Sequence, residues 1–181
     1  MCIRDSIFGW RGYENHTAMQ AKAASMLYEQ LLVASRKNDA DNMRRFANSI
    51  IADYGSSTYA VFSKLMLAKI ESEQSNFENA EAYLSSILDN NLRDEFKHIV
   101  RLRLVRVLIA NNKLESAEKL LEKIDSNQFI SHYEELRGDI FAKQGKIKKA
   151  EQAYHSALNE QINTEEAKLI LLMKLDDLEK I

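Results

Sequence analysis

From Tyr13 onward the apolar residues recur at mixed three- and four-residue steps, the period of an α-helix buried along one side. Residues 17–36 carry Ala18, Met19, Ala23, Met26, Leu27, Leu31 and Val33 in this way, and Lys37-Asn38-Asp39 then reads as a turn. A second helix over about 40–53 sets Met43, Phe46, Ala47 and Ile50 on one stripe. Tyr54-Gly55-Ser56-Ser57 stops it, with Gly55 as C-cap and Ser57 or Thr58 as N-cap of the next helix. Continued along the chain, the pattern predicts helical hairpins over about 13–54, 58–90, 95–126 and 131–160, followed by a C-terminal helix over about 165–180. That last helix holds Leu169, Ile170, Leu171, Leu172, Met173, Leu175 and Leu178, more apolar surface than a single stripe needs. It must pack on more than one side or bind something.

Three of the predicted turns are followed by the same residues. Ser75-Asn-Phe-Glu-Asn-Ala80-Glu-Ala-Tyr-Leu84, Asn112-Lys-Leu-Glu-Ser-Ala117-Glu-Lys-Leu-Leu121 and Gly145-Lys-Ile-Lys-Lys-Ala150-Glu-Gln-Ala-Tyr154 align without gaps. In each, an apolar residue (Phe77, Leu114, Ile147) opens the second helix, an alanine follows three residues later, and a larger apolar side chain lies four further on. An alanine allows two helices to approach closely, and the residue four on fills the space beside it on the same face. The alanines are 37 and 33 residues apart, on either side of the 34-residue tetratricopeptide period. The final unit resembles that repeat most fully, with Gly138, Phe141, Gly145, Ala150, Tyr154, Ala157 and Leu158 at its small, aromatic and alanine positions. The middle unit (Leu104, Val105, Leu108, Ala117, Leu121, Ile124) and the first (Leu67, Ala68, Ala80, Leu84, Ile87) resemble it partially, and all three lack the usual first-helix Trp and closing proline. The fold class expected is therefore all-α, a tetratricopeptide-like solenoid of helical hairpins with a C-terminal capping helix.

A narrower resemblance runs over roughly residues 8 to 181. Gly9-Trp10-Arg11, Ser57-Thr58-Tyr59-Ala60 leading into Leu65-Met66-Leu67-Ala68, then Leu102 to Val107, Leu136-Arg137-Gly138-Asp139 and Leu172-Met173-Lys174-Leu175 resemble the YfgM family, ancillary subunits of the SecYEG translocon. The resemblance implies a short cytoplasmic tail, one membrane helix ending near the Gly-Trp, and the repeat domain in the periplasm. On that reading, residues 1–12 are a non-native or disordered start, Met1 to Ser6, joined to the last turn of a lost anchor, Ile7-Phe8-Gly9-Trp10-Arg11. Residues 13–181 are then the repeat domain.

Composition changes the picture mainly by exclusion. The 181 residues contain no proline and only 5 glycines, which favours helices over sheet. Basic and acidic residues nearly balance, 25 against 27, so no bulk attraction to nucleic acid or anionic lipid is expected. The single cysteine, Cys2, rules out an internal disulfide. The histidines His16, His98, His132 and His155 have no i, i+4 pairing, and no metal is expected. The glycines form no phosphate loop and no cofactor is expected. The acid pairs Glu134-Glu135, Glu165-Glu166 and Asp176-Asp177 fall on helices, where neighbours diverge by about 100° and cannot face each other as acid and base. The basic cluster Lys97, Arg101, Arg103 and Arg106 lacks interleaved aromatics and reads as a solvated helix face. The expected protein is not an enzyme.

What a repeat of this kind offers is a groove lined by the first helix of each hairpin. Transferring the inward-facing register selects Phe62, Leu65 and Lys69, then Ile99, Leu102 and Arg106, then His132, Glu135 and Asp139. Such a groove, apolar at one end and acidic at the other, would take an extended or helical peptide. The opposing reading is self-packing, with the apolar positions covered by the N-terminal or C-terminal helix. The resemblance makes the partners translocon subunits, periplasmic chaperones or exported chains, and places the domain on the periplasmic side of the bacterial inner membrane. The alternative is a cytoplasmic tetratricopeptide adaptor for a partner's peptide tail.

Overall fold

A computed structural model describes residues 3–89, 93–122, 129–160 and 164–180, with the side chains of residues 3–17 left aside. The described residues form helices α1 (Ile3–Arg36), α2 (Ala40–Asp53), α3 (Thr58–Glu73), α4 (Phe77–Leu88), α5 (Asp94–Ala110), α6 (Leu114–Leu121), α7 (Ile130–Lys143), α8 (Ile147–Asn159) and α9 (Glu165–Leu178). The all-α class expected from the periodicity is the class observed. Helix α1 begins at Ile3, well before the start at Tyr13 that apolar spacing predicts. Residues 3–12 contain no proline, so a helix already formed over 13–36 propagates backwards at one hydrogen bond per residue without needing an apolar stripe. Cys2 and Ile124 lie outside the described residues.

Helices α1, α3, α5 and α7 end in the same way. Asn38, Ser75, Asn112 and Gly145 adopt positive φ values of 53°, 61°, 58° and 71°. The next N–H in each case donates five residues back: Asp39 to Ala34, Asn76 to Glu71, Lys113 to Leu108 and Lys146 to Phe141, at 2.8–3.0 Å. The left-handed residue itself donates three back, to Ser35, Ser72, Ile109 and Ala142. This is the Schellman arrangement, which satisfies two helix-end carbonyls in one reversal. Three of these turns open the aligned repeats, and Asn38 adds a fourth.

Counting from each left-handed residue, the positions five, nine and twelve further on are buried. They are Met43, Ala47 and Ile50 in α2, Ala80, Leu84 and Ile87 in α4, and Ala150, Tyr154 and Ala157 in α8, while Ala117 and Leu121 fill the first two in α6. Away from these turns, α3 and α9 start with side-chain caps. Ser57 accepts from the Ala60 N–H at 3.2 Å and Thr164 from the Ala167 N–H at 3.2 Å. At the end of α2 the C-cap is Tyr54 rather than the expected Gly55.

The chain divides into two compact units, Met1–Asn76 and Phe77–Ile181, with the boundary falling inside the predicted 58–90 hairpin. In the first, α1 packs on α2 and α2 on α3. Arg44 of α2 reaches the buried Glu71 of α3 through Nη2 (2.9 Å) and Nε (3.1 Å), and the Asn76 amide nitrogen donates to its other oxygen at 3.0 Å. The carboxylate is thereby paired and hydrogen-bonded, the condition under which a buried charge is tolerated. In the second, α5 meets α4, α6 and α7, and α8 lies between α7 and α9.

Two glycines test this account in different ways. Gly145 has open space around a virtual Cβ, so Gly145→Ala should lose about 1 kcal/mol through backbone strain alone, and Gly145→Asn less, since Asn38 and Asn112 occupy equivalent turns. Gly138 faces the Tyr154 ring, and Gly138→Ala should cost about 2 kcal/mol by overpacking. Urea denaturation of the three variants checks the order; equal losses for Gly145→Asn and Gly145→Ala would show that turn conformation is not what matters.

Candidate protein-interaction surface

In the first unit, Phe62, Leu65 and Lys69 lie along α3. Phe62 is half-buried, its ring centroid 6.0 Å from that of Tyr28 on α1, and Tyr28 also meets Tyr59 at 5.4 Å. Leu65 is half-buried and Lys69 is exposed, 3.6 Å from Glu73 one turn along. Burial, followed by the neighbouring Tyr59, raises the Tyr28 hydroxyl above its ordinary pKa. The aromatic end of the expected groove is therefore partly covered by α1.

In the second unit, Ile99 is 38% exposed and Arg106 is solvent-facing, whereas Leu102 is only 5% exposed and belongs to the core. Leu102 is consequently unavailable to a peptide. On α7, His132 is exposed and sits edge-on to Phe129, with centroids 6.4 Å apart. Glu135 and Asp139 are half-buried and already engaged. Lys174 of α9 donates to Glu135 Oε1 at 2.7 Å and to both Asp139 oxygens at 2.7 and 2.9 Å. Arg106 approaches Glu135 from the other side at 3.9 Å. The acidic positions selected by register thus hold an internal cation, and what stays open in this unit is Ile99, Arg106 and His132.

The segment Leu136-Arg137-Gly138-Asp139 gives each of its residues a task. Leu136 is fully buried. Arg137 pairs with Glu134 and donates to the Leu121 carbonyl at 3.3 Å, satisfying an acceptor at the end of α6. Gly138 leaves room for the Tyr154 ring. Asp139 accepts from the Tyr154 hydroxyl at 2.8 Å as well as from Lys174. Burial, then the Asp139 charge, pushes the Tyr154 hydroxyl far above its ordinary value, so it remains a donor at any physiological pH. Behind this network Ala150, Tyr154, Ala157, Leu171 and Leu178 form one apolar cluster, joined by Phe141, Ile147 and Leu175.

A second polar contact lies between α5 and α7. His98 Nδ1 is 2.7 Å from the Tyr133 hydroxyl, and its ring stacks on Phe129 with centroids 5.2 Å apart. Burial and the Arg101 charge lower the His98 pKa. Among the described residues no group of three His, Cys, Asp or Glu side chains is placed to hold a metal, and no helix is long and apolar enough to cross a membrane. Sequence reasoning missed Lys174 as the partner of the acidic positions. A lysine set among Leu171, Leu172, Met173 and Leu175 was the available signal, since a charge in such a run needs a partner.

The sequence profile of the family described as "Tetratricopeptide repeat-like domain" matches residues 3–180. The chain belongs to this family. A crystal structure of a tetratricopeptide repeat protein from Parabacteroides merdae has the same fold, with a TM-score of 0.58 at 18% identity over 84% of this chain and 57% of that one. Curated relatives named "Ancillary SecYEG translocon subunit" are similar over most of their length. The one from Haemophilus influenzae is 28% identical across 95% of this chain and 83% of its own. The one from Escherichia coli is 24% identical across 96% and 82%, and that from Buchnera aphidicola of Schizaphis graminum is 28% identical across 88% and 80%. The resemblance read from the motifs is thus also one of the whole repeat domain.

Two predictions concern how this family member holds its last helix and its α5–α7 contact. Lys174→Met leaves Glu135 and Asp139 half-buried without their cation and should cost about 2 kcal/mol in urea unfolding, with faster amide exchange in α9. Unchanged stability and exchange would mean that the network does not hold the helix. Because the folded His98 pKa is depressed, the unfolded chain takes up this proton first, and stability is lost as pH falls below about 6.5. Comparing melting temperatures at about pH 7.5 and pH 5.5, His98→Gln should lose less than wild type; an equal loss in both would assign the pH dependence to other groups.

Proposed function

We propose that this chain is a non-catalytic protein-interaction scaffold that serves as an ancillary subunit of a SecYEG translocon. The observation that carries the reading is the shared name of the relatives, each similar over four-fifths or more of this chain and of its own length. Tetratricopeptide repeats act through exposed helix faces, which supports a role in protein binding and gives catalysis no part in it. In this reading the domain stands on the periplasmic side of the inner membrane, where it meets exported chains and chaperone partners.

The contact would use the open part of the expected groove. Ile99 offers an apolar anchor on α5, with Arg106 two turns along the same helix and His132 exposed on α7. An apolar anchor beside a guanidinium suits an extended segment that carries apolar residues and a carboxylate. Leu102 takes no part, and Glu135 and Asp139 contribute only if Lys174 is displaced.

A photo-crosslinking residue at position 99 of the full-length protein tests this in cells. Crosslinks to translocon subunits or to nascent secretory chains are expected, and Ile99→Glu should lower co-purification of the partner about tenfold, the effect of losing a central apolar anchor. Fractionation of the protein with the cytoplasm would overturn the reading. Translocon association that ignores position 99 would keep the partner but remove this surface.

A further inference from the structure

Two apolar stripes in this chain face solvent, and their flanking charges match. On α1, Met19 (73% exposed), Met26 (58%) and Val33 (42%) recur every seven residues along one line. Beside them a cleft of about 460 Å³ opens between α1 and α2, with the Phe46 ring at its edge. Lys22 lies on the same helical line near its beginning, and Lys37 follows it at the end of α1. Arg45 adds a third cation, placed 4.5 Å from the Phe46 centroid. The cleft also contains Glu29 and Asp39, the latter committed to capping α2 through the Asn42 N–H.

On α9 the exposed residues are Leu169 (59%), Ile170 (49%), Leu172 (54%) and Met173 (60%). Here the flanking residues are mainly acidic: Glu166 one turn before them, Asp176 and Asp177 one turn after, while the intervening Lys168 pairs with Glu165 at 2.9 Å. Lys180 bonds both aspartates at 2.6 and 3.1 Å, but all three side chains are exposed and such pairs exchange partners at little cost. The buried side of the same helix, Leu171, Leu178 and Lys174, is already used inside the second unit. The outer apolar residues are therefore surplus to the fold. Solenoid ends normally present a polar outer face to remain soluble, and neither stripe does.

We propose that these two stripes bind each other between copies of this chain, α9 of one molecule lying along α1 and the α1–α2 cleft of the next. At 1.5 Å per residue the lysines at 22 and 37 are about 22 Å apart, and the acids at 166 and 177 about 16 Å; two lysine side chains bridge the difference. Like-charged pairs would oppose α9 meeting α9 or α1 meeting α1, because cations outnumber acids around the α1 stripe and acids outnumber cations around the α9 stripe. The contact thus joins unlike surfaces, one stripe given and one received by each copy. It is independent of the proposed translocon role.

Sedimentation velocity on the purified chain tests the contact with two variants at exposed positions. Wild type should self-associate as concentration rises, and less so at high salt. Met26→Glu/Val33→Glu removes one stripe and Leu169→Glu/Met173→Glu the other, and each variant alone should be monomeric. Mixed in equal amounts they should form a one-to-one heterodimer and nothing larger, because each retains the stripe the other lacks. Lys22→Glu/Lys37→Glu, which leaves the apolar residues intact, should weaken wild-type association about tenfold. Wild type that stays monomeric overturns the proposal and leaves the α9 stripe to a different partner. Variants that fail to pair, or one that self-associates like wild type, overturn it in favour of a symmetric contact or none.

Discussion

When a helix reverses through a single left-handed residue, its successor has no choice of where to begin. The Schellman bonds fix the chain from four residues before the left-handed residue to the residue after it, and the next helix must present the fifth, ninth and twelfth residues counted from that turn to the helix just completed. Asn38, Ser75, Asn112 and Gly145 impose that condition four times among the described residues. The buried alanines, the space for Tyr154 and the face on which each neighbouring residue is exposed all follow from this register. Glycine, asparagine and serine pay different conformational costs at the turn, but the hydrogen bonds made are the same.

The same register decides how much could be read from sequence. Three turns were legible because Ala80, Ala117 and Ala150 stand five residues after them, with a larger apolar residue at position nine. The fourth obeys the geometry with the sizes reversed: Met43 takes the place of the alanine and Ala47 that of the large residue. Volume is conserved while the pattern of small and large is lost, a swap that cores tolerate and alignments overlook. Groove positions were legible only as positions on a helix. That Tyr28 lies against Phe62 and Lys174 between Glu135 and Asp139 depends on α1 and α9, whose packing is set by residues distant in sequence. The start of α1 at Ile3 was illegible for another reason, since propagation from a formed helix leaves no periodic trace.

Lys174 shows how charge and apolar packing divide the work at the C-terminal end. Taking an ammonium partly out of water is unfavourable unless carboxylates receive it, and Glu135, Asp139 and the Tyr154 hydroxyl form one connected set that does so. A helix held only by apolar area would bury as many of its leucines as its neighbours could cover. Helix α9 instead buries Leu171 and Leu178, fixes its rotation through Lys174, and turns Leu169, Ile170, Leu172 and Met173 outward. Rotating the helix to cover the outer four would carry Lys174 away from both carboxylates. The polar network therefore selects which apolar face is internal and which is left exposed.

A partner meeting such a surface gains affinity from the apolar side chains and orientation from the charges at their ends. In α9 these two features are covalently tied to the network that anchors the helix, so a ligand that competes for Glu135 and Asp139 would also loosen the exposed stripe. In α5 the link is looser, a single 3.9 Å approach of Arg106 to Glu135: Ile99 and Arg106 project from a helix packed against α4, α6 and α7, whose core residues Val100, Leu104, Val105 and Leu108 stay buried whatever contacts the outer side. A rigid site of that kind binds without rearrangement and loses little entropy in doing so. The chain thus contains one surface whose shape is set by a core and one whose orientation is set by three carboxylate–ammonium bonds, and Glu135 is the residue the two have in common.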